Sequence, residues 1–475
     1  MRLGALTGGD EQAVVTGFAI DHRKVAPGTV FGAFRGMRVN GEDFIEAAIA
    51  SGAIAVIARP EAKVDGAVHI ADANPRAAFA ARAARFFAPF PETCVAVTGT
   101  NGKTSTVEMT RQLWRMAGFH AASIGTLGVT TGDDRVATGL TTPDIVTFLS
   151  NVAGLAREGV THLAFEASSH GLSQYRTEGV GVAAVAFTNL SRDHLDYHLD
   201  MEDYFAAKMR LFRDVAQPGA RAVIWADDPR SEAVATIARE RRLELITVGE
   251  RGQTLKLVGR TPSLLGQVLM IDAGGKTHKV SMPLIGAYQI ANALTAAGLV
   301  IASGGDVAAT IANLGRLQPV RGRLERAVIT AAGAPVYVDY AHTPDAIEAA
   351  IAALKPHAPG KLIVLIGAGG DRDAGKREPM GQVAAAHADV VIVTDDNPRS
   401  EDPAAIRADV LRGAPGATEI ADRRAAIGAA IGMAGPEDIV LLTGKGHEQG
   451  QIVGDLVLPF DDVSVAREMA QGTAS

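Results

Sequence analysis

The chain has 475 residues, 47% of them hydrophobic and 21% charged, with a net charge of −7. That length predicts about three domains, each able to bury its own core, and an acidic balance without a dense Lys/Arg block argues against a nucleic-acid partner. The single cysteine, Cys94, excludes an internal disulfide and fits a reducing compartment. The longest apolar run, near 47–58, is too short to span a bilayer, and Asp10 and Glu11 interrupt the start before a signal-peptide core forms. A cytoplasmic enzyme is expected.

In chain order, short apolar runs at 30–34 and 53–57 lie between short alanine-rich stretches. They predict a small α/β unit. Pro89 and Pro91, on either side of Phe90, mark its end. The expected domains are 1–90, 91–321 and 322–475. Cys94 opens the next apolar strand and reads as a small core residue rather than a nucleophile.

The segment from Val95 to Ser105 predicts a strand, a glycine-punctuated turn and a helix opening on Lys-Thr. Backbone N–H groups of such a turn surround a phosphate, and the helix N-terminus adds partial positive charge. Lys103 suits the terminal phosphates, and the hydroxyl of Thr104 or Ser105 suits Mg²⁺. The usual pattern carries an earlier glycine where this chain has Val97, so the loop is the compact form Gly99-Thr-Asn-Gly-Lys-Thr104.

Beyond it, strands at 94–98, 163–167, 183–188, 222–225 and 244–248 alternate with helices and predict a mainly parallel sheet. Residues 255–282 alternate in polarity around Gly274-Gly275 and predict antiparallel strands on one side. After Pro319-Val-Arg-Gly-Arg323, strands at 336–340, 361–366, 389–394 and 438–443 alternate with helices near 345–355 and 403–411. They predict a second doubly wound unit. In such sheets ligands bind beyond the C-terminal strand ends. Polar strings fall there in both units, which implies a cleft between two facing sets of loops.

Glu166 alternates away from Leu163 and Phe165 and ends its strand, where a carboxylate suits a phosphate-bound Mg²⁺. His194, past another strand, suits a second divalent ion, although a lone histidine is more often structural. Lys208 falls inside the apolar stripe of an amphipathic segment at 201–212, among Met201, Tyr204, Phe205, Leu211 and Phe212. A lysine there snorkels, pairs, loses its proton or is modified. As a carbamate it becomes an anionic metal ligand.

Taken together these residues resemble the Mur ligase family, the ATP-dependent amide-forming enzymes of peptidoglycan precursor synthesis. The likeness rests on Gly99-Thr-Asn-Gly-Lys-Thr104, Thr141-Thr-Pro143, Glu166-Ala-Ser-Ser-His-Gly-Leu172, Asn189-Leu-Ser-Arg-Asp-His-Leu-Asp196, Ala206-Ala-Lys208, Asp339-Tyr-Ala-His-Thr-Pro344 and Asp396-Asn-Pro-Arg399. Each is weak alone; in this order and spacing they are specific. The resemblance implies three α/β domains: a small N-terminal UDP-substrate domain, a central P-loop-type domain with a mainly parallel sheet, and a C-terminal Rossmann-like domain for the amino acid. It implies that Gly99, Thr100, Asn101, Gly102, Lys103, Thr104 and Ser105 bind ATP, with Asn292 and His342 nearby. It places Mg²⁺ on Thr104, Glu166, His194 and a carbamylated Lys208. Thr141, Thr142, Ser168, Gln174 and Arg176 match positions that contact the UDP-sugar-peptide, and Arg372, Asp396, Asn397, Pro398, Arg399, Gly444 and Glu448 match the site of the incoming amino acid.

The Asp-Asn-Pro-Arg form is similar to that of diaminopimelate-adding members; lysine-adding relatives differ at the arginine. The implied substrates are UDP-N-acetylmuramoyl-L-alanyl-D-glutamate, meso-diaminopimelate and ATP, joined through an acyl phosphate by a monomeric chain. One departure is Asp21-His22-Arg23, where the family commonly has serine in the middle, so His22 is kept as a uridine-site position without the hydroxyl contact. A lysine-adding member of the family is the nearest alternative, and two other readings stay open. One is a folylpolyglutamate-type ligase sharing the ATP chemistry; the other is a nucleotide switch without ligation.

Overall fold

A computed structural model describes residues 1–472 apart from 10, 37, 38, 133, 137, 138, 196, 264 and 265, so Asp10 and Asp196 lie outside the described residues. Three sheets organise the chain. The first has four parallel strands, Gly17–Ala19, Thr29–Gly32, Ala53–Ala58 and Val68–Ala71, in chain order. The helix Pro75–Phe87 covers it. Its start is set by Pro75 in the first turn and by the Asn74 side chain, which accepts from Ala77 N–H.

The central sheet has eleven strands. Its parallel heart runs Glu244–Gly249, Ala216–Trp225, Val182–Phe187, Thr93–Thr98, His162–Glu166 and Ala121–Gly125. Alternate residues of Thr93–Thr98 enter opposite cores: Cys94 and Ala96 pack on one side, Val95 and Val97 on the other. That is the signature of a parallel strand covered by helices on both faces. Cys94 is fully buried and free, as expected of a core residue, and burial pushes its thiol up to about 12. The antiparallel strands expected at 255–282 are present. Gly266–Ala273 turns through Gly274-Gly275 into Lys276–Met282. Two features were not expected. Gly128–Thr131 and Asp134–Val136 extend the other edge antiparallel, and the helix expected at 201–212 ends at Arg210, followed by a π-helical turn Leu211–Val215.

The third sheet has six strands in the order Glu325–Ile329, Pro335–Val338, Ile439–Leu442, Leu362–Ile366, Val390–Val393 and Thr418–Glu419, all parallel except the first. A separate hairpin, Gly450–Val453 with Leu456–Pro459, follows it. The C-terminal strand ends of the second and third sheets supply the walls of two adjoining cavities.

Candidate active site

The phosphate loop leaves the strand at Gly99 and enters the helix Lys103–Met116 through Gly102, whose φ of 83° is in the left-handed region. A Cβ at Gly99 would lie 1.9 Å from Thr188 Oγ1, and one at Gly102 would lie 2.2 Å from Asn292 Oδ1. Both glycines are therefore required by close approach as well as by conformation. The loop is tied to the next strand end: Asn101 N–H donates to Asn189 Oδ1 (2.9 Å), while Thr188 Oγ1 and Asn189 Nδ2 donate to Asn101 O (2.7 and 3.0 Å). Lys103 Nζ donates to the carbonyls of Gly99 (3.0 Å) and Thr100 (2.7 Å), which fixes its stem across the loop. Thr104 and Ser105 are buried at the helix start.

Glu166 is buried at its strand end and accepts from Thr126 N–H (2.7 Å) and Thr126 Oγ1 (3.2 Å). Burial pushes its carboxyl up, and Lys103 pulls it back only in part. Lys103 is shifted down by the same burial, against Glu166 and Asp193. His194 sits at a left-handed φ of 56° with Nε2 3.5 Å from Asp193. Burial lowers its imidazole to about 4, so it is neutral with a lone pair available. Asp193 is also shifted down: burial opposes its charge, but the neighbouring imidazoles, the His194 N–H and Lys376 together outweigh it, so a proton taken up by this pair is shared between Asp193 and His194.

Lys208 is 1% exposed. Its Nζ donates to Gly99 O (2.7 Å) and lies 4.0 Å from the centre of the Tyr204 ring. It does not snorkel. Burial, aided by Lys103, drives its ammonium well below the ordinary lysine range. Among the described residues no three His, Cys, Asp or Glu side chains form a metal cluster. The proposed donors are instead a mixed set of carboxylate, hydroxyl, imidazole and lysine.

A cavity of about 530 Å³ holds Gly102, Lys103, Glu166, His194, Asn292 and His342 together. A second, of about 770 Å³, brings together Arg372, Asp396, Asn397, Arg399, Gly444 and Glu448. Thr141, Asp193, His194, Tyr340, His342 and Asp345 line both. In the second, Asn397 Nδ2 donates to Glu448 Oε2 (2.7 Å), and Arg399 Nη1 donates to Gly370 O (2.8 Å). Pro398 turns the chain into Arg399, whose φ is 52° and whose N–H and C=O pair with Ile452 and Gly454 of the hairpin. Burial, reinforced by Asp396, raises the Glu448 carboxyl, and Asp396 Oδ1 is buried without a hydrogen-bond partner. A Cβ at Gly444 would lie 2.6 Å from Asp396 Oδ2.

The expected UDP-substrate residues form one chain of contacts. Thr142 Oγ1 donates to Glu166 O (3.0 Å) and accepts from Ser168 N–H (3.1 Å). Arg176 Nη1 donates to Thr142 O (3.0 Å), and its Nη2 donates to Gln174 Oε1 (2.7 Å). Thr141 Oγ1 accepts from Thr126 (3.0 Å). His22 stands apart. It stacks on Phe44 at 4.4 Å within the N-terminal unit; of the expected UDP-substrate set only Thr141 lines the two cavities, and Thr142, Ser168, Gln174, Arg176 and His22 line neither.

Sequence reasoning gave no individual role to three residues. Arg323, read only as part of a boundary, reaches from the start of the third unit to donate through Nη2 to Thr104 Oγ1 (3.1 Å), and its Nε is buried without a partner. Lys445 is fully buried and donates to Asn397 Oδ1 and Gly450 O, both at 2.8 Å. Asp339 accepts from Ala341 N–H (2.9 Å) and Leu324 N–H (2.6 Å). Two cationic residues in the predicted linker, Arg321 and Arg323, were the available signal for the first.

Comparison with known proteins bears on the family and the fold. Family models match in chain order: the Mur ligase family catalytic domain over residues 14–93, the Mur ligase middle domain over 97–300, and the Mur ligase glutamate ligase domain over 322–446. The UDP-N-acetylmuramoyl-L-alanyl-D-glutamate–2,6-diaminopimelate ligase of Zymomonas mobilis subsp. mobilis is 59% identical over 458 residues, 96% of this chain and 94% of its own. The protein of the same name from Bradyrhizobium diazoefficiens is 50% identical over the full length of both chains. A solved structure of a ligase of that name superimposes with a TM-score of 0.74 at 32% identity, covering 100% of this chain and 99% of the other. A Mycobacterium tuberculosis folylpolyglutamate synthase complexed with ADP shares the fold, with a TM-score of 0.66 at 18% identity over 83% of this chain and 93% of its own. Matched by family models along its length and by full-length relatives, the chain belongs to the Mur ligase family.

Proposed function

We propose that this chain is an ATP-dependent ligase that adds meso-diaminopimelate to UDP-N-acetylmuramoyl-L-alanyl-D-glutamate. The carrying observation is the junction of the two cavities, whose shared residues Thr141, His194 and His342 lie between a phosphate loop and a cluster of arginine and carboxylate groups. Relatives at 59% and 50% identity bear the name of that activity. The proposed division is 1–90 for the UDP end, 91–321 for ATP and 322–475 for the amino acid.

A carboxylate is a poor acyl donor. In this reading the D-glutamyl carboxylate attacks the γ-phosphorus of ATP, the bond to the β-phosphate oxygen breaks, and ADP leaves. The diaminopimelate amine then attacks the acyl carbon, phosphate departs, and the amine loses its extra proton. Lys103 and Arg323 flank Thr104 and offset the charge that develops on the transferred group. Thr141, which lines both cavities, is the member of the expected UDP-substrate set placed to hold the acceptor in line. The buried carboxylate of Glu166 and the Thr104 hydroxyl are oxygen donors that fit a hard divalent cation, and His194 adds a neutral imidazole nitrogen, a softer donor. Those residues and Lys208 as a carbamate would hold Mg²⁺, which supplies further charge neutralisation when bound. Lys208 suits carbamylation because burial disfavours its ammonium form: the uncharged Nζ bonds to CO₂ and releases a proton.

The test is the steady-state rate of amide formation with meso-diaminopimelate and with L-lysine, with ADP release followed beside it. Diaminopimelate has a second amino-carboxylate end, and Arg399, Arg372 and Glu448 face it in this reading. The wild type is expected to reject lysine. Arg399→Ala is expected to raise the KM for diaminopimelate at least about tenfold, as loss of a charge-assisted bond requires. Equal use of lysine, or an unchanged KM in the variant, would overturn the assignment.

A further inference from the structure

The nucleotide cavity continues past the phosphate loop to an aromatic wall. Thr93–Thr98, Val182–Phe187 and Ala216–Trp225 lie side by side, with Thr98 level with Phe187 and Phe187 level with Ile224. Neighbouring strands are about 4.8 Å apart, so Trp225 stands on the order of 10 Å across the sheet from the strand that carries the phosphate loop. A ribose with its attached base covers that distance.

Trp225 is half-buried, packs on the apolar core beneath the sheet, and lines the same cavity as Gly102 and Lys103. Gly249, at a φ of 122°, lies against both Asp227 and Trp225: a Cβ there would be 2.5 Å from Asp227 Oδ2 and 3.1 Å from the indole Cζ3. Tyr288, Tyr340 and Pro229 also line the cavity, and between them part of its wall is small. Ala291 and Thr295 come from one face of Ala287–Ala302, and Ala346 and Ala349 come from one face of Pro344–Leu354. They leave a slot that suits a flat ring. The nearby carboxylates are already engaged. Asp227 accepts from Glu250 and Arg251 N–H, and Asp228 accepts from Leu190 and Arg230 N–H. They shape the loop, and recognition at this end falls to the face of the ring.

We propose that Trp225 is the platform on which the nucleobase of the bound triphosphate stacks. This rests on the ATP-ligase reading above and assigns a residue that reading does not use. An aromatic platform favours a nucleoside triphosphate over bare tripolyphosphate, by about five- to hundredfold for one base.

The chain has two tryptophans. Trp114 is 1% exposed and bonded to Ser303, so Trp114→Phe leaves Trp225 as the sole reporter. ATP and inorganic tripolyphosphate would be titrated into this variant, with tryptophan emission and calorimetric heat followed together. ATP is expected to change the emission saturably at the calorimetric Kd, and tripolyphosphate to bind without changing it. In the otherwise native chain, Trp225→Ala is expected to weaken ATP about tenfold and leave tripolyphosphate unchanged, while Trp225→Phe restores most of the affinity. ATP binding with unmoved emission, or native ATP affinity in Trp225→Ala, would overturn the platform. No ATP heat at all, in a chain that still binds tripolyphosphate, would overturn the nucleotide assignment and the platform with it.

Discussion

At Lys208 the helix Met201–Arg210 carries a lysine on the face that enters the core, and the side chain stays inside. Burial and the neighbouring Lys103 both favour the uncharged amine. Lys208→Ala is expected to abolish nearly all ligation while thermal unfolding stays cooperative, and short carboxylic acids are expected to restore part of the rate. Native activity in that variant would remove the carbamate from the mechanism. Asp339 offers a separate test. Burial raises its carboxyl from an ordinary 3.8 to about 6 despite Arg323. The folded state then holds its proton more tightly than the unfolded state does. This residue's contribution is full below the unfolded value and is lost as pH rises through about 6, a swing of about 3 kcal/mol at most. Asp339→Asn is expected to lower stability, because one backbone donor meets an amide N–H, and to flatten the melting temperature between those two pH values. An unaltered slope in the variant would show that other carboxylates carry it.

Among the elements, the phosphate loop was legible because its chemistry is local. Strand, glycines, lysine and helix start lie within a dozen or so residues, and each has one physical reason to be there. Gly102→Ala adds a left-handed strain to a 2.2 Å contact with Asn292 Oδ1. It is expected to weaken ATP binding at least about tenfold in a calorimetric titration and to lower stability by about 1–3 kcal/mol. The parallel strands were legible for a similar reason, since a strand buried on both faces reads as a continuous apolar run. The edge strands Gly128–Thr131 and Asp134–Val136 were not, because their polarity gives no period. The hairpin after residue 449 was also missed; its pairing to Arg399 and Asn397 joins segments 55 residues apart. The same distance problem hid Arg323, whose partner Thr104 is 219 residues away. Glu166, His194 and Lys208 could be picked out one by one, but their convergence is tertiary and needed the fold.

For the whole molecule, Arg323 joins the C-terminal unit to the start of the phosphate-loop helix through Thr104. Arg323→Ala is expected to lower kcat by about a hundredfold or more, in line with loss of one preorganised charge donor, and to leave the KM for diaminopimelate within about twofold. A change confined to KM would mean that the residue serves only to hold the two units together.

The six residues common to both cavities bear on what happens when the wrong amine arrives. A mixed anhydride formed at that seam faces the amino-acid cavity directly, so its lifetime depends on what occupies that space. A fitting amine consumes it; an ill-fitting one leaves it to water. Selectivity at the C-terminal site would then appear as a leak. With lysine in place of diaminopimelate, the ratio of ADP released to amide formed should rise above one, and a mutation such as Arg399→Ala should raise that ratio with the correct substrate too. The error rate of the enzyme would be recorded in spent ATP rather than in misjoined product.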